Sequence, residues 1–598
     1  MRSAHGSSLL LAASLGMIVC AAVPAADVPV ADDVAALVAQ LGDADYAIRE
    51  TAATRLAALG AAAADALLAA AETSADIEVA LRARWLVREL PADSLAIGRP
   101  GDPPAVAALV GKLAGGSAAG RGGILQRLLR LDDDAGIETL GRIVRLDRSA
   151  AGSRTAAALL IDEWQPGDPH WPDIAERIAS GIGMSSRPTA AYLRALIEFS
   201  RSDSAADRDA AIAAARAAFA RLEATAPGDS TSEPVEAVIR RTLRRGLVQM
   251  LVAADRRDDA VAEADRLLVS GGRPEADDSP VLAELVWLAE HGLPETVRLV
   301  DRRWPQLAQS DAVAMYVTAL AWRRLGDEPE ARRRAALAFE KTAGIDDAAD
   351  RRNEIARMLV RWGAGDWATR EYEAILGSPA TPEETFATAA LMFGEFLHDH
   401  EDHARAADVY RQLLTHGAAD GDPLRRALEM ELSSVRSRML YFESCAAMAR
   451  GDMAARRRLV EEAVEAYPKD VDALIALYRL PDNTPAQRAA AAAQIARAAE
   501  QIDAEIQALP DETKGYNEYA WLIANTEGDL EKATRYSRLS LEKSTDNSSF
   551  LDTLAHCHAA AGRIPAAVRT QSLARRLEPH GQTIARNLER FRSQLQKP

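Results

Sequence analysis

The sequence predicts an all-α fold, a solenoid of stacked antiparallel helix hairpins, and three observations predict it. Gly528 and Gly562 stand 34 residues apart, each followed five residues later by alanine, Ala533 and Ala567, and Gly292 and Gly326 repeat the spacing. A fixed period of this size marks helix-turn-helix units that bury their apolar faces against one another. Hydrophobic residues make up 48% of the 598 and aromatics only 5%, so alanine must supply much of the core. Small side chains suit close helix pairs, whereas sheets favour branched and aromatic residues. Finally, few stretches alternate apolar and polar with period two, so almost no strand is expected.

The first element is a leader. Arg2 and His5 precede an uncharged run from Gly6 to Ala26, apolar at Leu9–Val19, and Val23-Pro24-Ala25 offers a small-residue cleavage pattern. Residues 1–26 read as a signal peptide of bacterial type, which implies an exported chain, periplasmic or extracellular. Two rival readings keep a membrane attachment. One is an uncleaved anchor, weakened by Ser14 and Gly16. The other is lipidation at Cys20, for which Met17-Ile18-Val19 is a poor lead-in because the preceding position favours a small residue. The remaining cysteines, Cys445 and Cys557, fall several repeats apart. A disulfide needs α-carbons within about 7 Å, so both are expected to be free.

Residues 27–95 contain short amphipathic helices. Asp43 and Asp45 open one and Asp76 another, because aspartate accepts the unpaired N–H groups of a helix start. Helical spacing places Ile48, Ala52, Leu56 and Leu59 on one expected core face, and Ile77, Leu81, Trp85 and Leu86 on the next. With Arg49 after the first cap, this segment resembles the HEAT/armadillo-like superfamily; Leu140–Ile161 is a weak further copy. Pro- and Gly-bearing breaks at Pro91–Pro104, Gly115–Gly123, Gln165–Pro172 and Ala226–Pro234 divide residues 96–234 into irregular hairpins. Helices are expected at Arg187–Phe199 and Asp207–Leu222, the second with Ala211, Ile212, Ala215, Ala218, Phe219 and Leu222 on one side.

From Val235 small residues recur where paired helices would touch. Degenerate units over 235–480 supply Ala319, Gly326, Ala331 and Ala338; then Phe393, Gly394, Ala406 and Tyr410; then Leu440, Gly451, Ala463 and Pro468. The best copy, within 481–598, has Leu551, Leu554, Ala555, Gly562, Ala567, Ala574 and Pro579. These residues resemble the tetratricopeptide repeat (TPR) family, strongly over Tyr516–Pro579. The resemblance implies two antiparallel helices per unit, with small residues letting the second helix approach the first. Two departures stand out: Trp521 occupies a small-residue position, and His558 replaces the usual tyrosine. A closing helix with Ile584, Leu588, Phe591 and Leu595 is expected to cover the end of the stack.

Charge and motifs narrow the chemistry. The formal net charge is −17 and the pI about 5.2, so the basic footprint of a nucleic-acid binder is missing. The runs Arg332-Arg333-Arg334 and Arg456-Arg457-Arg458 sit among acids within helices. The cluster His398-Asp399-His400-Glu401-Asp402-His403 holds metal-ligand types, and a metal-binding protein or enzyme built on it is one alternative function. Adjacent side chains on a turn point apart, however, and the HExxH spacing is missing. His556-Cys557-His558 is a further candidate, its thiol flanked only by imidazoles. No phosphate loop, nucleophile elbow or singular carboxylate pair is found, so no catalytic residue, cofactor site or metal site is assigned.

What the TPR resemblance implies is a concave groove lined by the first helix of each pair. Its candidate peptide-binding residues here are Glu518, Asn525, Asp552 and His556. Glu518 and Asp552 stand where the family's carboxylate-clamp members carry lysine, so a basic or neutral peptide is expected rather than a C-terminal carboxylate. The function expected is therefore an exported, non-enzymatic scaffold or adaptor that binds protein. A self-assembling envelope component is the remaining alternative.

Overall fold

A computed structural model describes residues 31–113, 118–224, 233–270, 280–309, 311–343, 347–417 and 431–595. Residues 1–26, expected as a leader, with Cys20, lie outside the described residues, as do parts of the breaks at Gly115–Gly123 and Ala226–Pro234. The described residues form thirty α-helices with short 3-10 turns between some of them, and no β-strand. The chain divides into two compact units, at Leu95 and Ala96.

The first unit holds the helices Ala31–Gln40, Tyr46–Leu59, Ala61–Thr73 and Ile77–Glu89. Asp45 caps the second through the Ala47 N–H at 2.8 Å, and Asp76 the fourth through the Glu78 N–H at 2.8 Å. Arg49 donates to the carbonyls of Asp43 (2.6 Å) and Ala44 (3.0 Å), tying the helix to its own entry turn. The expected core face of the fourth helix is corrected here. Ile77, Leu81 and Trp85 are 75%, 52% and 57% exposed, and Val79, Ala80, Ala83, Leu86 and Val87 are buried instead. At about 100° per residue the two stripes lie on nearly opposite sides of the helix. The side carrying Ala80 and Ala83 has the smaller bulk, and that is the side neighbouring helices can approach. Ile48 is likewise exposed, while Ala52, Ala53 and Leu56 are buried.

In the second unit the strongest packing is between helices close in sequence, as in a solenoid. The pair Ala312–Arg324 and Glu328–Ala343, the pair Leu432–Ala449 and Met453–Ala466, and the pair Ser548–Ala560 and Ile564–Leu577 are typical. Their contacts centre on the small residues. Ala319, Ala331, Ala338, Ala406, Ala463, Ala533, Ala555, Ala567 and Ala574 have no exposed surface. At Gly394 a Cβ would come within 2.4 Å of the Tyr410 ring, so only glycine lets that ring lie flat against its helix. Trp521 turns away from the close contact, and its neighbour Ala520 is fully buried in its place.

The turn inside each pair is built one way repeatedly. Gly326, Gly451 and Gly562 adopt φ of 92°, 75° and 75°. The next amide then reaches five residues back: Asp327 to the Trp322 carbonyl (3.0 Å), Asp452 to Ala447 (2.9 Å), Arg563 to His558 (2.9 Å). A left-handed residue followed by this bond closes a helix and satisfies its last carbonyls. In the first two cases the following aspartate caps the second helix, Asp327 through Glu330 N–H (3.1 Å) and Asp452 through Ala455 N–H (2.9 Å). Glycine-aspartate therefore ends one helix and starts the next.

The helix Gln582–Leu595 closes the stack. Ile584, Leu588 and Phe591 are buried, while Leu595, the last residue of the helix, stays exposed. The second unit also turns back on itself. Arg569 reaches Asp133 (2.7 Å) and Asp134 (3.6 Å), and Arg576 reaches Glu163 and, at 3.6 Å, Asp168. Both carboxylate oxygens of Asp399 accept from the start of the last helix, the Gln582 N–H at 2.8 Å and the Thr583 N–H at 2.7 Å. His580 packs on Gly363, where a Cβ would meet its ring at 2.6 Å. Within the second unit the C-terminal repeat thus meets helices from its beginning and its middle.

Candidate functional site

Helices that each open a pair, together with the short helix Val471–Tyr478, carry a continuous row of polar side chains. It begins on Glu383–Asp399, where Glu395 accepts from the Tyr410 hydroxyl at 3.0 Å. Arg438, on Leu432–Ala449, donates Nε and Nη2 to the two oxygens of Glu395 at 2.8 Å each. Its Nη1 binds Asp472, on Val471–Tyr478. Asp472 also accepts from the Trp521 indole N–H at 2.8 Å, on Thr513–Asn525. The Trp521 ring lies 4.6 Å from that of His556, on Ser548–Ala560. Arg590 of the closing helix completes the row, 2.9 Å from His556 Nε2. Five helices and the cap are thereby stitched by hydrogen bonds and ring contacts running across the repeats.

The hydrogen bonds define the protonation of His556. The Arg590 guanidinium can only donate, so His556 Nε2 accepts. Nδ1 then carries the proton and donates to Asn525 Oδ1 at 2.9 Å. Burial, with the charges of Arg590 and Arg479 adding to it, lowers the imidazole pKa to about 3. Asn525 is held in turn by Arg479, which donates to its side-chain oxygen (2.8 Å) and its carbonyl (2.9 Å). Asp552 Oδ1 accepts from Gln571 (2.5 Å) and Asn587 (2.9 Å), yet burial outweighs these bonds and raises its pKa. At the other end burial raises Glu395 and Asp472, but Arg438 more than offsets it and both carboxyls lie below their usual range.

The four groove residues proposed from the sequence lie in or beside this row, but three of them face protein. Asn525, Asp552 and His556 are 4%, 7% and 5% exposed. The closing helix covers Asp552 and His556 with Asn587, Arg590 and Phe591, and Asn525 is engaged by His556 and Arg479. This corrects their reading as peptide contacts: a covering helix was expected at the end of the stack, and it lands on the very face those residues present. Glu518 alone stays half-exposed, paired with the solvent-facing Lys514 at 3.5 Å. Burial is the main influence on Glu518 and raises its pKa. The residues that sequence reasoning missed are Glu395, Arg438, Asp472, Arg479 and Arg590. One signal for them was present: Arg438 and Asp472, of opposite charge, are spaced by the 34-residue repeat.

The histidine-rich turn is divided among structural tasks. His398 and His403 approach through Nδ1 atoms 3.0 Å apart, with His398 stacked on Phe442 at 4.6 Å. Burial and the nearby Arg438 charge lower His398 to about 4. His400 turns back to the Phe396 carbonyl (3.0 Å), Asp399 caps the last helix, and Asp402 caps the next. Among the described residues no group of three or more His, Cys, Asp or Glu is placed to hold a metal ion. Cys445 and Cys557 are both free. Burial pushes the Cys557 thiol up to about 12, which leaves no thiolate at neutral pH. The arginine runs are largely paired, Arg332 with Glu328, Arg333 with Glu330, Arg334 with Asp301, Arg457 with Asp482 and Arg458 with Glu462. Among the described residues no helix is long and apolar enough to cross a membrane.

No family model matches the chain, and no curated protein matches it significantly. Among solved structures it is similar to one of Naa15/Naa10 bound to HypK-THB, with 15% identity and a TM-score of 0.20 over 74% of this chain. That match spans 66% of the other chain, slightly less than two thirds. It is also similar to the crystal structure of the P58(IPK) TPR domain, with 14% identity and a TM-score of 0.17, covering 72% of this chain and 96% of that one. The architecture stands on the contacts described above: an all-α solenoid of paired helices, consistent with tetratricopeptide-like repeats.

Proposed function

We propose that this protein is an exported, non-enzymatic scaffold that binds a protein partner along the row of first helices in its second unit. The observation that carries the reading is the polar row itself. Its acids Glu395 and Asp472 are locked in place by Arg438, yet their side chains keep 45% and 26% of their surface open to solvent. Glu518 continues the same acidic strip. Charges held rigidly by neighbours recognise a partner at little ordering cost. The sign of the strip favours a basic or neutral segment over an acidic one. The leader pattern at residues 1–26 supports export.

Fluorescence anisotropy with matched basic, neutral and acidic peptides tests the reading. Basic peptides should bind most tightly, lose affinity as salt rises, and lose it severalfold in Glu518→Lys. Equal binding of acidic and basic peptides would remove the assignment. The mass of the mature chain tests the leader, since cleavage removes it and lipidation at Cys20 adds acyl mass.

A further inference from the structure

The contacts that close the second unit differ in kind from those that build it. The hydrophobic clusters follow the chain in order, one drawn from residues 106–321, the next from 312–442, the next from 440–557, with small ones in the last repeat. None of these clusters joins residues 101–177 to the C-terminal repeat. The described contacts that bridge them are ion pairs. They are Arg569 with Asp133 and Asp134, Arg576 with Glu163 and Asp168, Arg127 with Glu542 (3.5 Å) and Arg130 with Asp546 (3.6 Å). Their exposure is uneven: Asp133 retains 75% of its side-chain surface and Glu542 and Asp546 about half, whereas Asp134, Glu163 and Asp168 keep 25%, 11% and 12%. A cavity of about 950 Å³ remains between the two sides, with Leu109, Ile174, Leu541 and Leu573 in its walls. Further round, Arg586 pairs with Glu401 at 3.4 Å and His580 lies 3.7 Å from Glu290.

We propose that the C-terminal helices from Leu530 to the closing helix, residues 530–595, are a salt-labile electrostatic clasp that opens and closes the second unit. The reasoning compares magnitudes. An exposed ion pair contributes about 0–1 kcal/mol. A handful of them, aided by the tether of a single chain, suffices to favour closure without making it permanent. The exposed pairs, at Asp133, Glu542 and Asp546, are also screened, because the Debye length falls from about 8 Å at physiological salt to about 3 Å at 1 M. A seam with a shared apolar core would respond in the opposite sense or not at all. Opening would present arginines Arg569 and Arg576 on one side and the acids Asp133, Asp134 and Glu163 on the other. The clasp does not depend on the partner reading above.

Spin labels at Lys112→Cys and Thr545→Cys, both in the cavity wall, in a chain freed of its native cysteines, report the seam directly by pulsed dipolar spectroscopy. The expected result is one short distance at about 0.05 M salt and a longer, broader distribution at about 1 M. Arg569→Glu/Arg576→Glu should show the open distribution at low salt. Adding Asp133→Arg/Glu163→Arg, which gives each reversed arginine an opposite charge again, should bring back the short distance. Helicity by circular dichroism verifies that each variant is folded. A short distance unchanged by salt in the otherwise wild-type labelled chain would overturn the proposal, whatever the variants do.

Discussion

Arg438 presents its Nε and Nη2 to the two oxygens of Glu395 at 2.8 Å each, a fork-to-carboxylate match that also leaves Nη1 for Asp472. One guanidinium therefore holds three successive helix layers in register. Arg438→Ala should destabilise the protein by about 1–3 kcal/mol, less than for a fully buried pair because water reaches Glu395. Arg438→Lys should restore little, since an ammonium cannot engage two carboxylates in this geometry. Urea titration followed by helicity checks both.

Two buried histidines should ignore ordinary pH changes. Burial holds His398 at about 4 and His556 at about 3. A histidine depressed below its unfolded pKa, about 6.5, gives stability that is complete above that value and is lost as pH falls toward the folded one. NMR titration should show both rings neutral from about pH 5 to 8. Protonation of either above about pH 6 would contradict the buried geometry.

Asp552 runs the other way. Its folded pKa is raised by burial, and an acid raised on folding favours the fold at low pH and opposes it once ionised. Asp552→Asn keeps an oxygen for Gln571 and Asn587. It should match wild type near pH 4 and exceed it by about 1 kcal/mol at pH 8. Thermal melts across that range would show the gap widening upward, and a gap that widens downward would refute the assignment.

Glycine at 394 should be irreplaceable and glycine at 111 should not. A Cβ at Gly394 meets the Tyr410 ring at 2.4 Å, whereas one at Gly111 meets nothing within 4 Å. Gly394→Ala should cost about 1–3 kcal/mol by overpacking, and Gly111→Ala should be neutral or stabilising by up to about 1 kcal/mol through helix propensity. Paired denaturation curves test the contrast.

The Cys557 thiol, fully buried and raised to about 12, should resist maleimide in the native protein at pH 8 and react on unfolding. Mass spectrometry of labelled peptides reads this directly.

The repeat architecture was legible because close helix packing leaves a direct mark: Ala533, Ala555 and Ala567 recur where nothing larger fits. Caps are equally local, so Asp45 and Asp76 were read correctly as helix starts. The fourth helix of the first unit was misread because Ile77, Leu81 and Trp85 form a better hydrophobic stripe than the one the fold buries. Stripe strength reports what a helix offers, not which side its neighbours approach. The groove was misread for a similar reason. That Asn525 and His556 lie on a first helix follows from period alone, but what covers them depends on where residues near the chain's end come to rest.

The cap on the last helix has a consequence for synthesis. Asp399 is made 183 residues before the Gln582 amide it binds. Until Gln582–Leu595 emerges, that carboxylate lacks those amides and the seat of Phe591 beside His556 is empty. A product truncated just short of Gln582 would keep the paired helices before it and still lack the junction that holds Asp399 to Gln582 and Thr583.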